Sequence, residues 1–247
     1  MIKVYFHHTP NPLKVVLFLE ETGLDYELVP VDIYKGEQHS RAFRTINPNG
    51  KVPAIVDTQG SAGAETRLFD SSAILLYLGE KTGEFIGAPK DRAELLSWLM
   101  FVATGLGPFS GQAVHFTHNQ KGSAYAANRY RREVERHYSV LDTRLAGRKF
   151  LVGDSYSIVD MSAWGWLTRA GFIFGEPKWS MTSALGALDA TPNLKRWFQT
   201  IAARPAAARA LAAGKALALK SEFDEQTLKA LFPQNFSSGH RLDRAET

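Results

Sequence analysis

Hydrophobic residues alternate with a period of two in the first third of this 247-residue chain, and beyond residue 87 the alternation stops. Period two belongs to half-buried strands and period 3.6 to helices, so the chain has to place all its strands before its helical part. The strand candidates are Ile2–Phe6, Tyr26–Val31, Val52–Val56 and Thr66–Phe69. A helix is expected over 12–22, opened by Pro12 in its first turn and closed by Gly23, with Asn11 as its cap and His7–Pro10 as the link. "FDSSAILLYLGEKTG" (69–83) reads as a second helix ending at Gly83. The order is βαβ, a connection over 32–51, then ββα.

After a Gly/Pro link at Gly87–Lys90 the spacing is helical throughout. Helices are expected over 91–104 (continuing past Pro108 toward 119), over 124–146, within 153–166, over 191–205 and over 206–219. Ser157 and Asp160 form an S-x-x-D capping box ahead of an apolar run. The expected units are a small α/β domain over 1–86, an all-helical domain over 91–219, and a tail over 220–247 with one short amphipathic piece before a polar end.

Composition narrows the chemistry. Zero cysteines exclude disulfides, thiolate-bound metal clusters and a protein thiol nucleophile. The net charge of +4 is mild and suits a small anionic ligand. Without a dense Lys/Arg block, a nucleic-acid partner is not expected. No apolar stretch reaches the roughly 18–20 residues of a membrane span. The first residues enter a strand with no signal-like segment, so a cytoplasmic location is expected. His7 and His8 point apart in an extended segment. His115 and His118 are spaced i, i+3 without a carboxylate pair, so no metal site is expected.

Three N-terminal features belong together. One is the Thr9–Pro10–Asn11 turn at a helix start. Another is "NPNGKVPAIVD" (47–57), where Val52–Pro53 opens a strand although proline cannot donate to a ladder. The third is Asp70–Ser71–Ser72 at the head of a helix, where N–H groups and hydroxyls can cradle a carboxylate.

With "DSSAILLYL", "GDSYSIVDMSAW" and "NLKRWFQTIAARP", these features resemble the cytosolic glutathione transferases, over about residues 1–217. "TPNPLKVVLFLEE", "GLGPFSGQAVHF" and "NRYRREVERHYSVLDTRL" are similar to the Nu-class, the bacterial glutathione-dependent disulfide-bond oxidoreductases related to the yeast nitrogen-regulatory prion protein. The resemblance implies a thioredoxin-like N-terminal domain followed by an all-α domain. It implies glutathione as cosubstrate, as one or two molecules or as the disulfide in each subunit, and a homodimer.

It also assigns roles. Thr9 and Asn11 stabilise the glutathione thiolate, although as plain sequence Thr9 is a turn residue and Asn11 a cap. A cis Val52–Pro53 bond presents the Val52 backbone to the cysteinyl unit. Asp70 takes the γ-glutamyl ammonium and Ser71 the carboxylate; the family has Glu at position 70, so the shorter Asp departs from its pattern. Gln38 and Lys51 match further glutathione contacts, with solvated loop polars as the alternative. Arg129 matches a basic residue reaching toward a glutathione pocket, across a dimer or within one chain; its bland reading is a salt-bridged helix face. Gly105–Pro108, Phe109 and Phe116 suit the second-substrate side, and Trp164, Trp166 and Trp197 suit the core. The implied activity is thiolate attack on a disulfide or other electrophile. Two alternatives stand beside it: a glutathione lyase, etherase or transferase acting on aromatic electrophiles, and a non-catalytic glutathione-binding regulator.

Overall fold

A computed structural model describes residues 1–60, 63–119 and 123–236. Strands β1 (Ile2–Phe6), β2 (Tyr26–Pro30), β3 (Ala54–Asp57) and β4 (Thr66–Phe69) form one sheet in the order β2-β1-β3-β4. β1 runs parallel to β2, with Ile2 opposite Tyr26, and antiparallel to β3, with Ile2 opposite Asp57. β4 closes the edge antiparallel to β3. The alternation in β1 buries Ile2, Val4 and Phe6 on one face. β3 begins only after Pro53, which supplies no N–H to a ladder.

Helix α1 spans Pro10–Thr22, two residues earlier than the sequence suggested. Thr9, not Asn11, occupies the N-cap position, and Pro10 and Pro12 both fit the first turn, where N–H groups have no intrahelical partner. Gly23 ends the helix at φ 67° and donates to Leu19 O. Every residue from Pro12 to Leu19 is buried, because α1 is enclosed on all sides. The sheet lies on one side, and α3 (Ser71–Thr82), α7 (Ile158–Leu167) and α11 (Pro205–Ala212) take the others. Arg204 and Arg209 pin α11 to Glu21 and Glu20 at the end of α1. A short α2 (Arg41–Arg44) lies in the connection before β3.

The helical part runs α4 (Arg92–Phe101), α5 (Gly107–Val114), α6 (Ala124–Arg144), α7, α8 (Ala170–Ile173), α9 (Met181–Gly186), α10 (Pro192–Ala202) and α11. The expected helix over 91–119 is not uniform: Val102–Leu106 and His115–Asn119 are wider π-type turns flanking α5. Packing accounts for the composition here, since a Cβ at Gly107 would lie 2.8 Å from Trp166 Nε1. The capping box of α7 is present. Ser157 caps Val159, and the buried Asp160 carboxylate accepts from Ser157 N, Ser157 Oγ, Leu151 N and the Trp197 indole.

The C-terminal segment corrects one expectation. The alanine-rich helix stops at Ala212 rather than Leu219, because Gly214 turns at φ 75° against the Phe6 ring. The described part of the tail then folds back as α12 (Glu225–Leu231). Lys220 N donates to Asp32 Oδ2 at 2.8 Å, Phe223 packs edge-on against Tyr34, and the Phe232 ring meets His115 at 4.7 Å. The tail thus bridges the α/β part and the helical part.

Candidate functional site

Where the heads of α1 and α3 meet α5 and α7, a cleft of about 730 Å³ opens. Asn11, Lys14, Lys51, Asp70, Ser71 and Ser72 line its α/β side. Gly107, Pro108, His115, Phe116 and Trp166 line the helical side, and Phe232 and Asn235 from the tail close it.

The head of α3 is built around Asp70, which sits at φ 69°, ψ 122°, a conformation few non-glycine residues adopt. Its Oδ1 accepts from Ser72 N at 2.9 Å and Ala73 N at 3.2 Å. The cradle is therefore less open than the sequence implied, because Asp70 itself occupies two of the N–H groups expected to face a ligand. Ser71 Oγ, buried at the head of the helix, accepts from Lys14 Nζ at 3.3 Å. Among the described residues, Ser72 Oγ on the α/β side and the Trp166 indole N–H on the helical side are buried without a partner. Strain and unpaired donors around one cleft point to a binding surface rather than to packing.

Lys14 is the residue that sequence reading missed. It is 2% exposed inside the apolar run Pro12–Leu19, and its ammonium is pulled down from 10.5 to about 7 by burial, partly offset by the Asp70 charge. A lone cation in "PLKVVLFL" was the available signal. Trp166, expected in the core with Trp164 and Trp197, lines the cleft instead, while the other two are fully buried. Residues 164 and 166 are two apart on α7, so they face different sides of it. Burial also lowers the His115 imidazole.

Not every expected residue joins this cleft. Thr9 borders a neighbouring cavity of about 300 Å³ with Phe6, His8, Arg169 and Trp179, and its hydroxyl makes no cap bond. The Val52–Pro53 bond is cis, and neither residue lines the cleft. Gln38 is buried and donates to Ala230 O of the tail at 3.1 Å. Arg129 pairs with Glu133 on α6 at 2.7 Å and lies outside the cleft. Phe109 packs against Tyr130 and His137 instead of facing the cleft. Among the described residues no group of three or more His, Asp or Glu could hold a metal ion, and no helix is long and apolar enough to cross a membrane.

Comparison with known proteins fits this geometry. Residues 8–81 match the glutathione S-transferase N-terminal domain and residues 102–205 the C-terminal domain. The chain is 43% identical over 214 residues to the disulfide-bond oxidoreductase YfcG of Escherichia coli, covering 85% of this chain and 94% of that protein. It superposes on a glutathione transferase from Burkholderia graminis, solved with two glutathione molecules per subunit, at a TM-score of 0.79 and 36% identity, covering 87% of this chain and 89% of the other. A glutathione transferase from Pseudomonas putida, solved with one glutathione disulfide per subunit, gives 0.78 at 33% identity, covering 85% and 90%. With its α/β domain of thioredoxin type and its helical domain, the chain belongs to the glutathione transferase family and is Nu-class-like within it.

Proposed function

We propose that this chain is a glutathione-dependent disulfide-bond oxidoreductase that activates the glutathione thiol for attack on a disulfide. The observation that carries this reading is the cleft's charge pattern: two lysines and one aspartate face a ligand that carries two carboxylates and one ammonium. In this reading the γ-glutamyl end lies at Asp70 and Ser71, and the glycyl carboxylate lies toward Lys51. The cysteinyl unit lies along Val52 and Pro53, with its sulfur at the head of α1 between Thr9 and Asn11. A free thiol of pKa about 8.5 is only a few per cent ionised near neutrality. The helix N-terminus, the unbonded Thr9 hydroxyl and the Asn11 amide favour the anion.

The chain has no cysteine, so both sulfur atoms that do the reducing come from glutathione. The bound thiolate attacks one sulfur of the substrate disulfide, forms a mixed disulfide and expels a substrate thiolate. A second glutathione thiolate attacks the glutathione sulfur of that intermediate, giving glutathione disulfide and the second substrate thiolate. Two glutathione thiols are oxidised by two electrons in total, the substrate disulfide takes up the same two electrons, and the released thiolates take the two thiol protons. Relatives solved with two glutathiones or with the disulfide support room for both tripeptides. Thr9, Val52 and Pro53 also lie beyond the cleft lining, close to Asn11 and Lys51 in the chain, so the ligand in this reading extends past that lining. The parts of Gln38 and Arg129 depend on movement of the tail and on a partner subunit, respectively.

A homodimer is part of the proposal. Phe69 at the sheet edge and Met100 on α4 are 42% and 43% exposed, one apolar contact on each part of the molecule. The described part of the tail packs on residues 32–39 and His115, and none of those contacts is with α4. Sedimentation at micromolar concentration tests this, and a species near 27 kDa would refute it.

Thr9→Ala with Asn11→Ala tests the sulfur site. It should raise the thiol pKa of bound glutathione and lower turnover of a small disulfide at least about tenfold, while binding persists. An unchanged pKa and rate would remove both residues from the mechanism. Turnover of an aryl ether or aryl halide in place of the disulfide would select the transferase alternative.

A further inference from the structure

We propose that Lys14 is an anion anchor of the glutathione site, holding the α-carboxylate of the γ-glutamyl unit through its ammonium and through Ser71. The inference rests on the placement of glutathione proposed above. Its basis is geometric. The Lys14 stem is gripped between α1 and α7, because a Cβ at Gly165 would lie 2.6 Å from Lys14 Cγ and 2.9 Å from Pro10 O. Only glycine at 165 leaves room for the lysine there, so the side chain is fixed with its nitrogen at the cleft floor, 3.3 Å from Ser71 Oγ and 5.9 Å from the Trp166 ring.

An ammonium has three protons to donate, and among the described residues Lys14 uses one of them. Among the described residues it forms no ion pair: Asp70 acts on it only through space and spends Oδ1 on the α3 backbone. A buried cation with unmet donors and no counterion is unfavourable unless an anion arrives. The chain keeps this arrangement at the spot where Asp70 has withdrawn two N–H groups from the expected cradle. Lys14 supplies the donors that α3 withholds. By donating to Ser71 Oγ it also fixes the direction of that hydroxyl, leaving the Ser71 proton free to face the ligand. Ser72 Oγ, buried in the same wall without a partner, offers a further donor.

The carboxylate, rather than the thiol, is the anion in reach. Lys14 contacts the head of α3, whereas the proposed sulfur position lies at the first turn of α1 beside Thr9. Lys14 therefore acts on affinity and not on thiol ionisation. Asp70 from α3 is the charge that acts on it, and Lys51 and His115 are the other titratable groups lining the same cleft; α7 brings Gly165 and Trp166 against it.

The test is calorimetric titration of the full-length protein with two ligands. One is glutathione. The other is 4-aminobutyryl-cysteinyl-glycine, which keeps the ammonium, thiol and glycyl carboxylate but lacks the γ-glutamyl α-carboxylate. The wild-type protein should prefer glutathione by about 10–100-fold, the range for a charged hydrogen-bonded contact. In Lys14→Met, and equally in Lys14→Gln, glutathione should bind at least about tenfold more weakly and the analogue unchanged, so that the preference largely disappears. KM for glutathione should rise with kcat at saturation held within about threefold, which a general base at this position would not allow. If both variants keep the wild-type preference while Ser71→Ala loses it, the Lys14 role is overturned and the site stands. If the wild-type protein itself shows no preference, the γ-glutamyl end does not lie at α3, and both readings fall.

Discussion

Among the buried charges of this protein, Asp160 and Lys14 are treated in opposite ways. Asp160, at the head of α7, accepts four hydrogen bonds from Leu151, Ser157 and Trp197. Lys14, at the floor of the cleft, donates one. Both sit in helices whose neighbours are apolar, and both are close to fully buried. The first is a finished network that ties the 150s loop, α7 and α10 together. The second is an unfinished one, and a binding site needs that incompleteness. A fully satisfied ammonium would have no protons left for a ligand. The difference also says where donors are left open: at the cleft, not in the helical core.

That contrast can be broken in order of effect. Asp160→Ala leaves three N–H donors buried without an acceptor and should lower the unfolding free energy by about 3–5 kcal/mol. Urea denaturation checks it, and a loss below about 1 kcal/mol would mean the network is not structural.

Lys14→Met should act in the other direction. In the folded protein the Lys14 pKa of about 7 lies below its ordinary 10.5, so the unfolded chain binds more protons between those values. Stability therefore rises with pH across that window, and the full penalty of the buried cation is present below about pH 7. Methionine has a similar unbranched shape and no charge. The variant should gain roughly 1–4 kcal/mol at pH 6, one pKa unit being about 1.4 kcal/mol. The gain should fade toward pH 10. Melting temperatures at both pH values measure it, and a variant less stable at pH 6 would place Lys14 among structural residues beside Asp160.

Trp197→Phe removes a single donor to Asp160 while keeping an aromatic ring and should cost about 1–3 kcal/mol. Ser71→Ala removes the acceptor of Lys14 at the cleft and should cost about 1 kcal/mol, the smallest stability effect of the series. The same variant should weaken glutathione binding by roughly 1–3 kcal/mol. A large stability loss without an affinity loss would reverse the proposed division between core and cleft.

Much of the architecture was legible from local rules. Alternation in Ile2–Phe6, Gly23 and Gly83 as helix exits, and the Ser157–Asp160 box are each decided by a few adjacent residues, and each stands in the structure. The short α8 and α9 had no such signal, being only four and six residues long, too brief to show a period. The π-type turns around α5 were equally hidden, because the segment's apolar spacing does not mark them. At the site, Asn11, Lys51, Asp70 and Ser71 were found from motifs and do line one cleft. Gln38 and Arg129 were named by the same route and have partners elsewhere.

The sequence by itself determined the division into a strand-bearing part and a helical part, the absence of any protein thiol, and the turns at the heads of α1 and α3. These depend on backbone preferences and side-chain inventory, which act over a few residues. Only the tertiary structure decided that Lys14 lies at the cleft floor and that the tail closes the cleft by meeting Gln38 and His115. Those outcomes depend on groups far apart in the chain. Lys14 becomes a buried cation only when Gly165, 151 positions later, brings α7 against it, and no local periodicity carries information across that distance.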